Sequence, residues 1–180
     1  MIAVPTRRPI RNVLLLLRTL FDIVLLRKGP EAIPHSSILF GIIAGLWLLS
    51  SLAVLTLIEQ YDRTDFVVGL VTAMVALGCY AVTVTAAGYR GRVLQVMSAI
   101  LGCGALIAFA FVAEYVLFRP FLGEAITALV AQLILLWSVP VEGHIIARAI
   151  SRHWYIGIVI AIIVFILQYI IYRLMTTTSA

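Results

Sequence analysis

Five apolar runs stand almost end to end between Ile38 and Tyr172, and they decide what this chain can fold into. Each approaches the ~20 residues that a helix needs to cross ~30 Å of hydrocarbon. Lipid offers no hydrogen bonds to a bare backbone, so runs of this length read as helices. The expected spans are 38–58, 66–87, 93–118, 121–141 and 155–172. Between them lie an acidic connection (59–65), a basic one (88–92), a near-minimal turn at Arg119-Pro120, and a mixed segment (142–154) that extends the fourth span past a kink at Pro140. Only 12% of the residues are charged and 63% are hydrophobic. A soluble domain carries about 25% charged residues. The polar stretches are too short for an extramembrane domain. The fold class expected is therefore an all-α, polytopic transmembrane bundle of five helices preceded by an amphipathic interfacial helix. Residues 1–37 form the N-terminal segment, 38–173 the membrane domain and 174–180 a short tail.

The segment from Ile10 to Lys28 sets polar Arg11, Arg18 and Asp22 near one face and leucines over much of the rest. Arg18 and Asp22 are spaced as an i, i+4 ion pair. Its apolar part, 13–26, would reach only ~21 Å at 1.5 Å per residue. Each charge held at the bilayer centre would cost ~2.5–3.5 kcal/mol. Lying in the membrane interface avoids that cost. Thr6-Arg7-Arg8 has the outline of a twin-arginine export signal, but no small-residue cleavage site follows, so the helix reads as retained. Gly29 suits its C-cap, and Pro30 stops it.

Orientation follows from the basic residues. With the N-terminus in the cytoplasm, ten arginines and lysines lie inside and Arg63, Arg119 and Arg173 lie outside. That choice places the chain in a bacterial cytoplasmic (inner) membrane with its C-terminus external. The formal charge of +5 then reads as contact with anionic lipid headgroups at the inner face, not with nucleic acid.

Ionisable groups inside spans are the default functional candidates. Glu114 and Glu124 flank the Arg119-Pro120 turn, each about one helical turn inside its span, and Gln168 falls at a similar depth. Glu114, Arg119, Glu124 and Gln168 are therefore expected to form one polar cluster. Two carboxylates close together in low dielectric would make a proton site. Their shallow depth, within reach of headgroup water, favours the plainer reading of an ion pair and hydrogen bonds stitching three helices. A second candidate group, Glu142, His144 and Arg148, follows Pro140 on the inner side, where His144 could titrate near neutral pH. Small residues mark helix-packing faces: Gly41 with Gly45, Ser98 with Gly102, and Gly157 with Ala161. Gly41 and Gly45 fit either a contact within the bundle or docking on a partner. Cys79 and Cys103 sit inside apolar runs and read as small packing residues.

No phosphate loop, HExxH, GxSxG or CxxC occurs, and no set of metal ligands has suitable spacing. No catalytic residue, cofactor or metal is expected. The layout, with Arg27-Lys28-Gly29-Pro30-Glu31-Ala32-Ile33-Pro34 before the first span and Trp137-Ser138-Val139-Pro140-Val141-Glu142-Gly143-His144 leaving the fourth, resembles the Yip1 family. It is also similar to small proteobacterial inner-membrane proteins. The Asp-Pro-Tyr motif of the eukaryotic Yip1 members is missing, so their trafficking role is not carried over. The resemblance implies a non-enzymatic membrane adaptor with no residue-level site. Two functions follow as expectations: an accessory or scaffold protein that binds other membrane proteins or its own copies, or a small proton-coupled transporter using Glu114 and Glu124.

Overall fold

The computed structural model describes residues 9–58, 61 and 63–178. Arg7, Arg8, Glu59, Asp62 and the last two residues of the tail lie outside the described residues. The chain is all-helical, with α1 at Pro9–Val24, α2 at Ser37–Leu57, α3 at Arg63–Ala86, α4 at Val93–Ala149 and α5 at Trp154–Thr178. Helices α2 to α5 are each long and apolar enough to cross a membrane.

Four such helices make five crossings because α4 folds back on itself. Within its 57 residues Gly123 alone leaves helical backbone space, at φ 75° and ψ 166°. A side chain is strained at positive φ, whereas glycine is not. The reversal therefore falls at Gly123, not at the expected Arg119-Pro120. Pro120 sits in the last turn of the first leg and costs that turn a backbone hydrogen bond without making the reversal. The two legs, 93–122 and 124–149, run antiparallel: Arg92 Nη1 donates to the Ala149 carbonyl at 3.0 Å. The second leg continues helically through Pro140 to Ala149. Pro140 costs that leg one backbone hydrogen bond without breaking it.

The crossings alternate between two ends. One end carries Arg90, Arg92, Arg148 and Arg152 and is called here the basic end. The other holds the α2–α3 connection and the Gly123 reversal, the turn end. At the basic end two helices stop in the same way. Gly88 at φ 90° follows α3, and Ser151 at φ 53° follows α4. In each case the next amide reaches back five residues, Tyr89 to Val84 and Arg152 to Ala147. This is the Schellman closure, which satisfies carbonyls left over at a helix C-terminus.

Helix α1 ends by the same device, at Leu26 with φ 60°. The Arg27 amide donates to the Asp22 carbonyl at 2.8 Å. The expected cap, Gly29, instead sits extended at φ −103°. Asp22 pairs with Lys28 at 2.7 Å across this turn, so the chain folds tightly before glycine is reached.

The amphipathic α1 does not lie flat. Leu20 and Ile23 are fully buried. Leu20 presses on Gly102, where a Cβ would stand 2.6 Å from its side chain. Trp137 Nε1 donates to the Val24 carbonyl at 3.0 Å. Trp137 lies about 18 Å along its leg from Ala149, at 1.5 Å per residue. The arm thus enters at the basic end and reaches mid-depth between the legs of α4. One side of α1 packs against protein, while Leu14, Leu15, Phe21 and Leu25 stay exposed.

The centre of the bundle is the α4 hairpin. It supplies Val96, Ala99, Cys103, Val141, Ile145 and Ile146 to the core, where they meet Tyr80 and Val84 of α3. Gly143 and Gly157 bring α4 and α5 so close that a Cβ on Gly157 would strike the Gly143 carbonyl. Small residues allow such approach between helices in lipid.

Candidate functional site

The three inner-side candidates lie on one helix, and the helix turns them apart. Glu142 points toward α3. There the Tyr80 hydroxyl donates to Glu142 Oε2 at 2.5 Å. His144, two residues on and roughly opposite, faces the returning arm, where its Nε2–H meets the Lys28 carbonyl at 3.1 Å. Arg148, one turn beyond His144, pairs with Glu31 at 2.6 Å. Glu142, His144 and Arg148 therefore form no single site. His144 and Arg148 clamp the arm, joined by Gln95, which donates to the Ile33 carbonyl at 2.8 Å. At the end of the arm itself, the hydrogen bond from the Lys28 ammonium holds the Asp22 carboxyl below its ordinary 3.8.

Glu142 instead belongs to the interior. It lines a cavity of about 250 Å³ that is otherwise mostly apolar, with Ser138, Cys103 and Tyr61 among its walls. Tyr80 is 0% exposed. A carboxyl at this depth needs a hydrogen-bond donor, because an unpaired buried polar group costs several kcal/mol in hydrocarbon. The sequence hid this pairing. Tyr80 sits in an apolar run 62 residues away. Its one cue was a hydroxyl in the middle of a span, opposite a helix that carries a carboxylate.

A second cavity, of about 240 Å³, lies toward the turn end. Arg119, Glu124, Gln132, Tyr115 and Thr127 supply its polar walls. It shares Tyr61, Phe111 and Leu135 as walls with the first, so the two are neighbours along the α4 hairpin beside α2. Arg119 Nη1 donates to the Tyr115 hydroxyl, and its guanidinium lies 4.8 Å from the centre of that ring. Glu124 is exposed at the mouth.

The expected four-residue polar cluster is only half assembled. Arg119 and Glu124 share this cavity. Glu114 does not line it. It is 5% exposed, and neither carboxylate oxygen has a hydrogen-bond partner. Gln168 serves another contact altogether, donating at 3.4 Å to the Thr72 carbonyl of α3. It ties α5 to α3, alongside Tyr172 and Asp65 nearer the turn end. The reason is the order of neighbours. Helix α5 packs against α3 on a side away from the cavity, and depth alone could not reveal that.

The small-residue pairs also separate. Gly102 is filled by Leu20, and Ser98, one turn before it, is buried. Gly157 and Ala161 are buried, with Gly157 against α4. Gly41 and Gly45 are different. Both are exposed, and nothing stands within 4 Å of a Cβ on either. Helix α2 packs through its other side, where Ile43 and Ser50 are buried and Trp47 touches Gly104. Leu48 and Leu52 continue the open face.

No family model, curated protein or solved structure matches this chain. The Yip1-like layout accordingly rests on the two sequence segments quoted for it. Among the described residues no three histidine, cysteine, aspartate or glutamate side chains are grouped to hold a metal ion.

Proposed function

We propose that this protein is a non-enzymatic accessory of a bacterial cytoplasmic membrane that docks a transmembrane helix of another membrane protein onto α2. The observation that supports this reading is the open Gly41/Gly45 face. Small residues four apart let two helix backbones approach closely in lipid. In Gly102 and Gly157 this chain fills that opportunity itself, while on α2 it leaves it unfilled. Leu48 and Leu52 extend the stripe along the same side of the helix and would flank an incoming helix. The absence of catalytic motifs from the sequence and the adaptor role implied by the Yip1 resemblance agree with it. The basic end takes the cytoplasmic side, because lysine and arginine concentrate there. The N-terminal arm enters from that side, and the C-terminus is external.

Mild-detergent pull-down of the full chain tests the reading. A membrane protein should copurify in fixed ratio, and Gly45→Leu should release it with little change in melting temperature. If the wild-type particle is strictly monomeric and alone, or if Gly45→Leu retains the partner, the reading fails. A second copy of this chain as the retained species would identify the partner as a homo-oligomer.

A further inference from the structure

We infer that the cavity beside Glu142 is a binding site for a small lipophilic amine, its nitrogen on the Glu142 carboxyl and its hydrocarbon part along the first leg of α4. The argument begins with an acceptor left open. The Tyr80 hydroxyl takes Glu142 Oε2, and among the described residues no hydrogen bond reaches Oε1. Among the described residues that wall the cavity, none is a lysine, arginine or histidine, so no cation there answers the carboxyl. An incoming amine brings what is missing. An ammonium carries three N–H donors, and its bond to a carboxylate is shorter and stronger than a neutral one. The carboxyl and the amine hold one proton between them, so the pair has no net charge whichever group the proton rests on. Burying such a pair costs far less than burying a lone ion. Ser138, one turn before Glu142 on the same face, adds a hydroxyl oxygen as a second acceptor.

The rest of the cavity suits hydrocarbon. Ile100, Ile107, Phe111 and Val141 are among its walls. An apolar cavity of ~150 Å³ holds a benzene ring. At about 250 Å³ this one admits a ring with a short alkyl chain, and it falls below the ~300–1,000 Å³ of sites for drug-sized ligands. Size therefore selects a small amine. The cavity is partly open, and two of its walls, Tyr61 and Leu135, are 43% and 50% exposed. Leu135 belongs to a membrane-crossing leg, so the way in is from the bilayer, where a lipophilic amine concentrates.

Isothermal titration of the full chain in mild detergent with 4-phenylbutylamine, and separately with 4-phenylbutanol, tests this proposal. The two probes share a shape and differ in the group that meets Glu142. With protein-free micelles as the blank, the wild type should bind one amine saturably and roughly tenfold more tightly than the alcohol, the effect of one charge-assisted contact. Glu142→Gln keeps an acceptor for Tyr80 and removes the charge. It should bring the amine down to the level of the alcohol and leave the alcohol unchanged. Ala108→Leu narrows the cavity and should weaken both probes. Ile163→Trp, on an exposed side of α5, should change neither. The comparison of the two probes on the wild type decides the matter even if a variant does not fold. Equal affinity of the wild type for amine and alcohol overturns the proposal. So does the lack of saturable amine binding, or an undiminished amine preference in Glu142→Gln.

Discussion

Glu142 is an interior carboxyl whose need for a donor is met by one side chain. Its carboxyl sits one and a half to two turns inside the helix end, beside an apolar cavity, with the Tyr80 hydroxyl as its donor. Removing that hydroxyl leaves the oxygen facing hydrocarbon. A buried acceptor stripped of its partner costs about 1–3 kcal/mol. Tyr80→Phe should therefore lower the melting temperature of the detergent-solubilised protein. The double variant Tyr80→Phe/Glu142→Leu should recover most of the loss, because both polar partners are then gone. A single Tyr80→Phe as stable as the wild type would mean that the pair contributes nothing. The exposed pair Arg148–Glu31 makes a useful contrast, since such surface ion pairs are worth about 0–1 kcal/mol. It positions the arm more than it stabilises the bundle.

Among the elements, the helices divide by how their glycines are used. Gly157 is pressed on the Gly143 carbonyl and on Ala147. Even one methyl there meets backbone that cannot move aside. Overpacking of this kind costs typically ~1–3 kcal/mol. Gly157→Ala should lower the melting temperature, whereas Gly69→Ala on α3, where nothing stands within 4 Å, should hold or raise it. Thermal melts of the two variants side by side decide the matter, and equal melting temperatures would argue against the α4–α5 contact. Helix α2 belongs with Gly69 in this respect, and that openness is what the accessory reading uses. Much of the element order was legible in the sequence. Apolar length alone gives the helices, since in lipid it fixes both their type and their number. Boundaries shifted where local backbone chemistry competed. Gly123 took the reversal from Pro120 because positive φ, not a missing amide, makes the turn. Leu26 took the cap from Gly29 because Asp22 and Lys28 close first.

For the molecule as a whole, five crossings place the two ends of the described chain at opposite ends of the bundle. Glu31 lies at the basic end with Arg148, while Tyr172 lies with Asp65 toward the turn end. Single cysteines introduced at Glu31 and Thr177, in a background lacking Cys79 and Cys103, should label from opposite sides of a sealed vesicle. Labelling from the same side would overturn the five-crossing topology. The candidate sites were less legible than the topology. Depth along a span can be counted from the sequence, but the helix that will face a given residue cannot. Glu142 found Tyr80, and Gln168 found Thr72, across 62 and 96 residues of chain. Glu124 and Arg119 line one cavity because only a tight reversal separates them.

The arm reaching into the α4 hairpin fixes an order of assembly. Val24 is made early, yet the indole that holds its carbonyl comes 113 residues later. The first leg offers Leu20 its place at Gly102, but Val24 has no donor for its carbonyl until the second leg of the hairpin has emerged. The first helix synthesised is thus fully housed only once the second leg of the hairpin stands beside the first.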